Sequence, residues 1–156
     1  GCGQRGCLES VASRLAISSA AAAAAYRGEA PHLLANAGTD LGNIRSGALA
    51  DAVSNGDRVV EDIIREAARW LGVALASAID LVSPDVVLLG GGLVEAMPEL
   101  YKKEVEATAR KRVMEPYRKT FDVVVAELGD DASVTGAAAW VQYRVQNVQD
   151  GDRKDA

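Results

Sequence analysis

Residues 84–98 read PDVVLLGGGLVEAMP. Four continuously apolar residues, Val86, Val87, Leu88 and Leu89, are bounded by Pro84 and Asp85 on one side and by Gly90, Gly91 and Gly92 on the other. A run this short, composed of valine and leucine and closed by turn residues, marks a strand buried on both faces. Such strands belong to parallel sheets covered by helices, so the flanking sequence should read as helical.

Upstream, apolar residues recur at Val60, Ile63, Ile64, Ala67, Leu71, Ala74, Leu75, Ala78 and Val82, a stripe along one face of a long helix. Asp57 stands at its N-cap position, Glu61 and Asp62 suit its positive end, and Pro84 sets its limit. Downstream, Pro98 opens a second helix that reaches about residue 113. Residues 121–126 supply a second buried strand. A closing helix over residues 134–145 carries Val134, Ala137, Ala138, Val141 and Val145 on one side, with Asp131 or Ser133 as its cap. Nearer the start, residues 8–26 lack glycine and proline and contain an unbroken alanine run from Ala20 to Ala25, which predicts one continuous helix. Gly28, Pro31, Gly38 and Gly42 then break the chain into a loop with one short helical turn, followed by a small helix over residues 44–53. The alternation is that of an α/β chain with a parallel sheet. Two strands make too narrow a sheet for these helices, which implies further strands upstream.

A chain of 156 residues suits one core, and its 49% hydrophobic and 25% charged content is that of a soluble globular protein. The net charge of −5 provides no basic footprint for a phosphate backbone, so direct nucleic-acid binding is not expected. No apolar run approaches the roughly 20 residues that span a bilayer, and no signal-peptide pattern opens the sequence. The expected location is cytoplasmic, with no membrane partner.

Gly90, Gly91 and Gly92 follow a strand end, where α/β sheets bind ligands and where missing side chains let a nucleoside approach the backbone. A tight turn without a ligand is the alternative. Cys2 and Cys7, the only cysteines, offer half of a tetrahedral zinc site at a four-residue spacing wider than the usual knuckle, or a short disulfide loop. His32, the only histidine, falls in the glycine-broken loop and reads as exposed. Gly136 allows close packing in the closing helix.

Three motifs then stand together. GCGQRGCLE, residues 1–9, resembles the Cys-x-Cys-Gly-x-x-Gly-Cys-x-Glu motif of the ROK family of sugar kinases and repressors, without its first cysteine. PDVVLLGGGLV resembles the family's adenosine-binding turn, and LGDDASVTGAAAWV its closing helix. The resemblance implies an actin-like, hexokinase-type fold, of which this chain is most of the C-terminal lobe without its first strands. Residues 1–146 would form that partial lobe, with a zinc loop and helical insertion over 1–54 and core helices and strands over 55–146. Residues 147–156 would be a flexible tail.

By the same resemblance, Cys2 and Cys7 are the second and third cysteine ligands of a structural zinc whose other ligands precede Gly1. Glu9 accepts hydrogen bonds from hexose hydroxyls, and Gly91 and Gly92, with Gly90, face the nucleoside. The family's catalytic aspartate and phosphate loop have no match here. The resemblance thus implies part of an ATP-dependent, glucokinase-like hexose kinase using ATP with magnesium, inactive as this chain alone. Its partners would be the hexose, the N-terminal part of the same protein and a second copy in a homodimer. The sugar-sensing domain of a ROK repressor is the alternative, and a helical interaction module with a disulfide is a third reading.

Overall fold

In a computed structural model, residues 6–152 are described, with the side chains of Asp130 and of residues 147–152 left out. Cys2 lies outside the described residues. The chain divides into two compact units, Gly1–Val125 and Ala126–Ala156.

The first unit opens with α1 (Glu9–Ala12) and α2 (Arg14–Tyr26). The single helix expected over residues 8–26 is therefore broken at Ser13, which is extended at φ −72° and ψ 157°. The cause is local: the Ser13 hydroxyl accepts from the Ala16 N–H at 3.1 Å and restarts the helix as its N-cap. Instead of one helical turn, the glycine-broken loop holds α3 (Pro31–Ala37), with Pro31 in the first turn where its missing N–H costs nothing. The small helix α4 spans Ser46–Ser54, and the buried Ser18 hydroxyl donates to the Ile44 carbonyl at 2.8 Å, tying α2 to the segment entering α4.

The long helix α5 covers Arg58–Val82. Its N-cap residue is Asp57, but the Asp57 carboxylate does not cap it. That carboxylate is buried and accepts from the His32 N–H at 3.2 Å and the Leu33 N–H at 2.8 Å, so it caps α3 instead. The helix ends at Ser83, which takes a left-handed conformation at φ 46° because Pro84 disfavours a further helical residue before it.

Strand β1 (Val86–Leu89) leads through the glycines into the short α6 (Gly92–Ala96), which no local pattern in the sequence announces, and then α7 (Pro98–Arg112). Strand β2 (Asp122–Val125) pairs with β1 in parallel, Val86 opposite Asp122 and Leu89 opposite Val125. The parallel register follows the expectation. Burial on both faces does not hold: Leu89 and Val123 are buried, whereas Val86 and Leu88 are 56% and 67% exposed. Alternate residues of a strand face opposite ways, so within the first unit one face of this sheet joins the core and the other is left uncovered.

The core is built around α5, which packs along α7 and against α2. Ile17, Leu33, Ile64, Ile79, Val105 and Phe121 are fully buried, each contributing about 1.5–3 kcal/mol of transfer free energy. A Cβ at Gly72 would stand 2.7 Å from the Thr108 Cβ and 2.8 Å from the Val105 carbonyl oxygen, so the glycine is what lets α5 and α7 approach this closely. Arg65 adds a polar clamp by pairing with Glu61 on its own helix at 2.6 Å and with Glu104 across the interface. The Arg110 guanidinium lies 4.6 Å over the Phe121 ring and donates to the Phe121 carbonyl at 2.9 Å, fixing the entry to β2 on α7.

In the second unit a 3₁₀ turn, Gly129–Asp131, precedes α8 (Ala132–Asp152), which runs beyond the expected end near residue 145. Ser133 lies inside α8, not at its cap. The Trp140 and Tyr143 rings stack with centroids 5.7 Å apart.

Candidate functional site

The turn after β1 forms one wall of an open cavity of about 690 Å³. Gly90, Gly91 and Gly92 bring backbone without side chains to that wall. Gly91 sits at φ 101° and ψ 159°, a region that residues with a Cβ occupy only under strain. A Cβ at Gly92 would stand 3.3 Å from the Ser46 hydroxyl oxygen, so the turn also closes tightly on the start of α4.

Further lining comes from Ala12 and Arg14 at the α1–α2 break and from Leu41, Gly42, Arg45 and Ser46 leading into α4. Gly42 is set by its own N–H, which donates to the Asp40 carboxylate at 2.8 Å, and its carbonyl accepts from Arg45 Nε at 3.2 Å. Arg14 has no side-chain partner among the described residues. Ser46 is the first residue of α4, so the positive end of that helix adds to the two guanidinium groups at the cavity edge. The floor carries Leu71 from α5 and Tyr101 from α7. Tyr101 is 4% exposed, its hydroxyl oxygen has no partner among the described residues, and burial pushes its pKa up to about 12. This is an apolar cleft with a bare backbone wall and cations at its edge, suited to a flat, partly apolar ligand bearing negative charge.

Of the residues singled out in the sequence, the structure brings Gly90, Gly91 and Gly92 together at this cavity. Glu9 is exposed in the first turn of α1 and is not among the lining residues. Cys7 is a free, half-buried thiol in a separate cavity of about 290 Å³ beside Val11, Trp70 and Val73. Among the described residues no three of His, Cys, Asp and Glu form a metal-holding cluster. The donors present do not make a zinc site by themselves, since one described thiol leaves a tetrahedron open. His32 is exposed, as expected, although it stands in α3. Sequence reasoning missed Arg14, Arg45, Ser46 and Tyr101. They come from separate segments, and only the fold shows that they meet.

The ROK family model matches residues 1–144. The chain belongs to the ROK family. Among its curated relatives, the ROK chain is 34% identical to a glucokinase of Streptomyces coelicolor over 140 residues, 88% of this chain and 44% of that protein. It is 27% identical to the DNA-binding transcriptional dual regulator NagC of Escherichia coli K12, over 94% of this chain and 34% of the regulator. Its fold superposes on a ROK family glucokinase from Streptomyces griseus solved in complex with glucose and AMPPNP, at a TM-score of 0.76 and 31% identity, covering 89% of this chain and 45% of that one. The chain thus spans less than half the length of these relatives. Among the described residues no helix is long and apolar enough to cross a membrane.

Proposed function

We propose that this ROK chain is the nucleotide-binding part of an ATP-dependent hexose kinase of glucokinase type, forming most of the C-terminal lobe of an actin-like fold. The observation that carries the reading is the glycine-walled cavity at the end of β1, edged by Arg14 and Arg45. Its size and lining suit a nucleoside against the bare backbone, with phosphates reaching the guanidinium groups. The glucokinase relatives and the Streptomyces griseus complex support the same ligand class.

In this reading Glu9 holds hydroxyls of the hexose through its carboxylate oxygens. The aspartate that takes the proton of the attacking hydroxyl, and the loop that cradles the phosphates, belong to a lobe outside this chain. The 156 residues alone therefore bind nucleotide without turning over sugar. Magnesium, carried by the nucleotide, would neutralise charge on the transferring phosphoryl group. Cys2 and Cys7 supply two ligands of a structural zinc only where two more donors join them. A cytoplasmic location and a homodimer complete the reading.

The test is an assay of the full gene product for ATP-dependent phosphorylation of a hexose panel, repeated with Glu9→Ala. Removing a charged acceptor should lower kcat/KM about 10- to 100-fold, chiefly through KM for the sugar, with folding intact. Unchanged kinetics would sink the Glu9 role. The match to NagC favours a second reading, a sugar-sensing regulator, which predicts hexose binding with no phosphorylation.

A further inference from the structure

Tyr101 presents a puzzle that packing alone does not answer. The ring belongs to the core and to the floor of the glycine-walled cavity, while its hydroxyl oxygen is closed to solvent and has no hydrogen-bond partner among the described residues. A phenylalanine would fill the same space without the cost of an unpaired buried hydroxyl. Of the cavity's other polar side chains, Arg45 is engaged with the Gly42 carbonyl. Burial keeps the phenol protonated through the physiological range, so what it offers is a fixed hydrogen-bond donor. The same cavity is lined by three residues without side chains, Gly90, Gly91 and Gly92, with nothing within 4 Å of where a Cβ on Gly91 would lie.

We infer that Tyr101 is a specificity-determining residue of the cavity, its hydroxyl donating to an acceptor atom on the uncharged, nucleoside part of a nucleotide bound there. The inference rests on the nucleotide reading proposed above. It assigns the partner of the buried donor to the ligand, and it separates the roles of the cavity's polar groups: the edge arginines answer to phosphate charge, and the floor answers to the nucleoside.

The experiment compares the full gene product with its Tyr101→Phe variant by calorimetric titration with AMPPNP and with adenosine, alongside thermal unfolding of both proteins. Loss of one hydrogen bond should weaken both ligands about five- to ten-fold while leaving the unfolding temperature unchanged or higher. Equal affinity of the variant and the parent overturns the inference and leaves the nucleotide reading standing. A loss confined to AMPPNP assigns the contact to phosphate and also overturns it. A lower unfolding temperature in the variant reveals a structural partner for the hydroxyl and overturns it as well. If the parent itself binds neither ligand, the nucleotide reading falls and this inference with it.

Discussion

Asp57 starts α5 through its carbonyl, which accepts from the Val60 and Glu61 N–H groups at 3.0 and 3.2 Å, while its carboxylate caps α3. The sequence placed Asp57 correctly at a helix start. What it hid was the side chain's partner, 24 residues away at Leu33, because a cap made across tertiary structure leaves no local spacing to read. Asp57→Ala should leave two helix-end donors unpaired in a buried site and cost about 2–4 kcal/mol, measured by urea unfolding. Asp57→Asn keeps one acceptor and should cost roughly half as much. Tyr101 gives a second test at this scale. Its pKa is raised by burial to about 12, so the folded chain holds the phenolic proton more tightly than the unfolded chain, whose tyrosines titrate near 10. The stability this contributes is fully present below about pH 10 and is lost as pH rises towards 12. In Tyr101→Phe that alkaline loss should disappear from the unfolding free energy measured across the interval, and the late step should vanish from the ultraviolet titration of tyrosinate.

Between α5 and α7 the decisive contact is made by an absence. Gly72 falls within the α5 helix, yet nothing in the sequence distinguishes a glycine tolerated in a helix from one required there. The structure does, since an added Cβ would meet the Thr108 Cβ and the Val105 backbone oxygen below 3 Å. Gly72→Ala improves intrinsic helix propensity by about 1 kcal/mol, but it forces two helices apart at a backbone contact that cannot rotate away. Overpacking of this kind costs about 1–3 kcal/mol. The clash should outweigh the propensity gain, giving a lower denaturant midpoint and not the rise that propensity alone predicts. The same interface carries Arg65, whose pKa is raised by hydrogen bonds to Glu61 and Glu104. With side chains about one-third exposed or less at all three positions, the clamp adds register between the helices more than net stability.

At the scale of the whole molecule, the legible part was the periodic part. The parallel strand pair, the long α5 stripe, α7 and the glycine turn all rest on local patterns of one or two spacings, and all stand where those patterns placed them. The helix break at Ser13 was hidden because a serine mid-run and a serine N-cap look alike until the side chain chooses its donor. The cavity floor and edge were hidden because Arg14, Arg45 and Tyr101 converge only in three dimensions. Burial of β1 on both faces was misjudged for a different reason: the composition of a strand records what it is built to pack against, and Val86 and Leu88 have no such neighbour within the first unit. Leu81 and Val82, just before the strand, are likewise exposed at 83% and 67%. Exposed apolar residues on and beside a sheet that has two strands among the described residues are a template for association. Expressed by itself, the 156-residue chain should therefore bind a hydrophobic dye and associate with rising concentration in sedimentation velocity. Val86→Thr with Leu88→Thr places β-branched residues that suit a strand at both positions while lowering apolar exposure, and should suppress both signals. Because those side chains contribute little to the existing core, the unfolding temperature of the double variant should fall by no more than a few degrees. A large fall would instead show that the exposed face is already packed in solution.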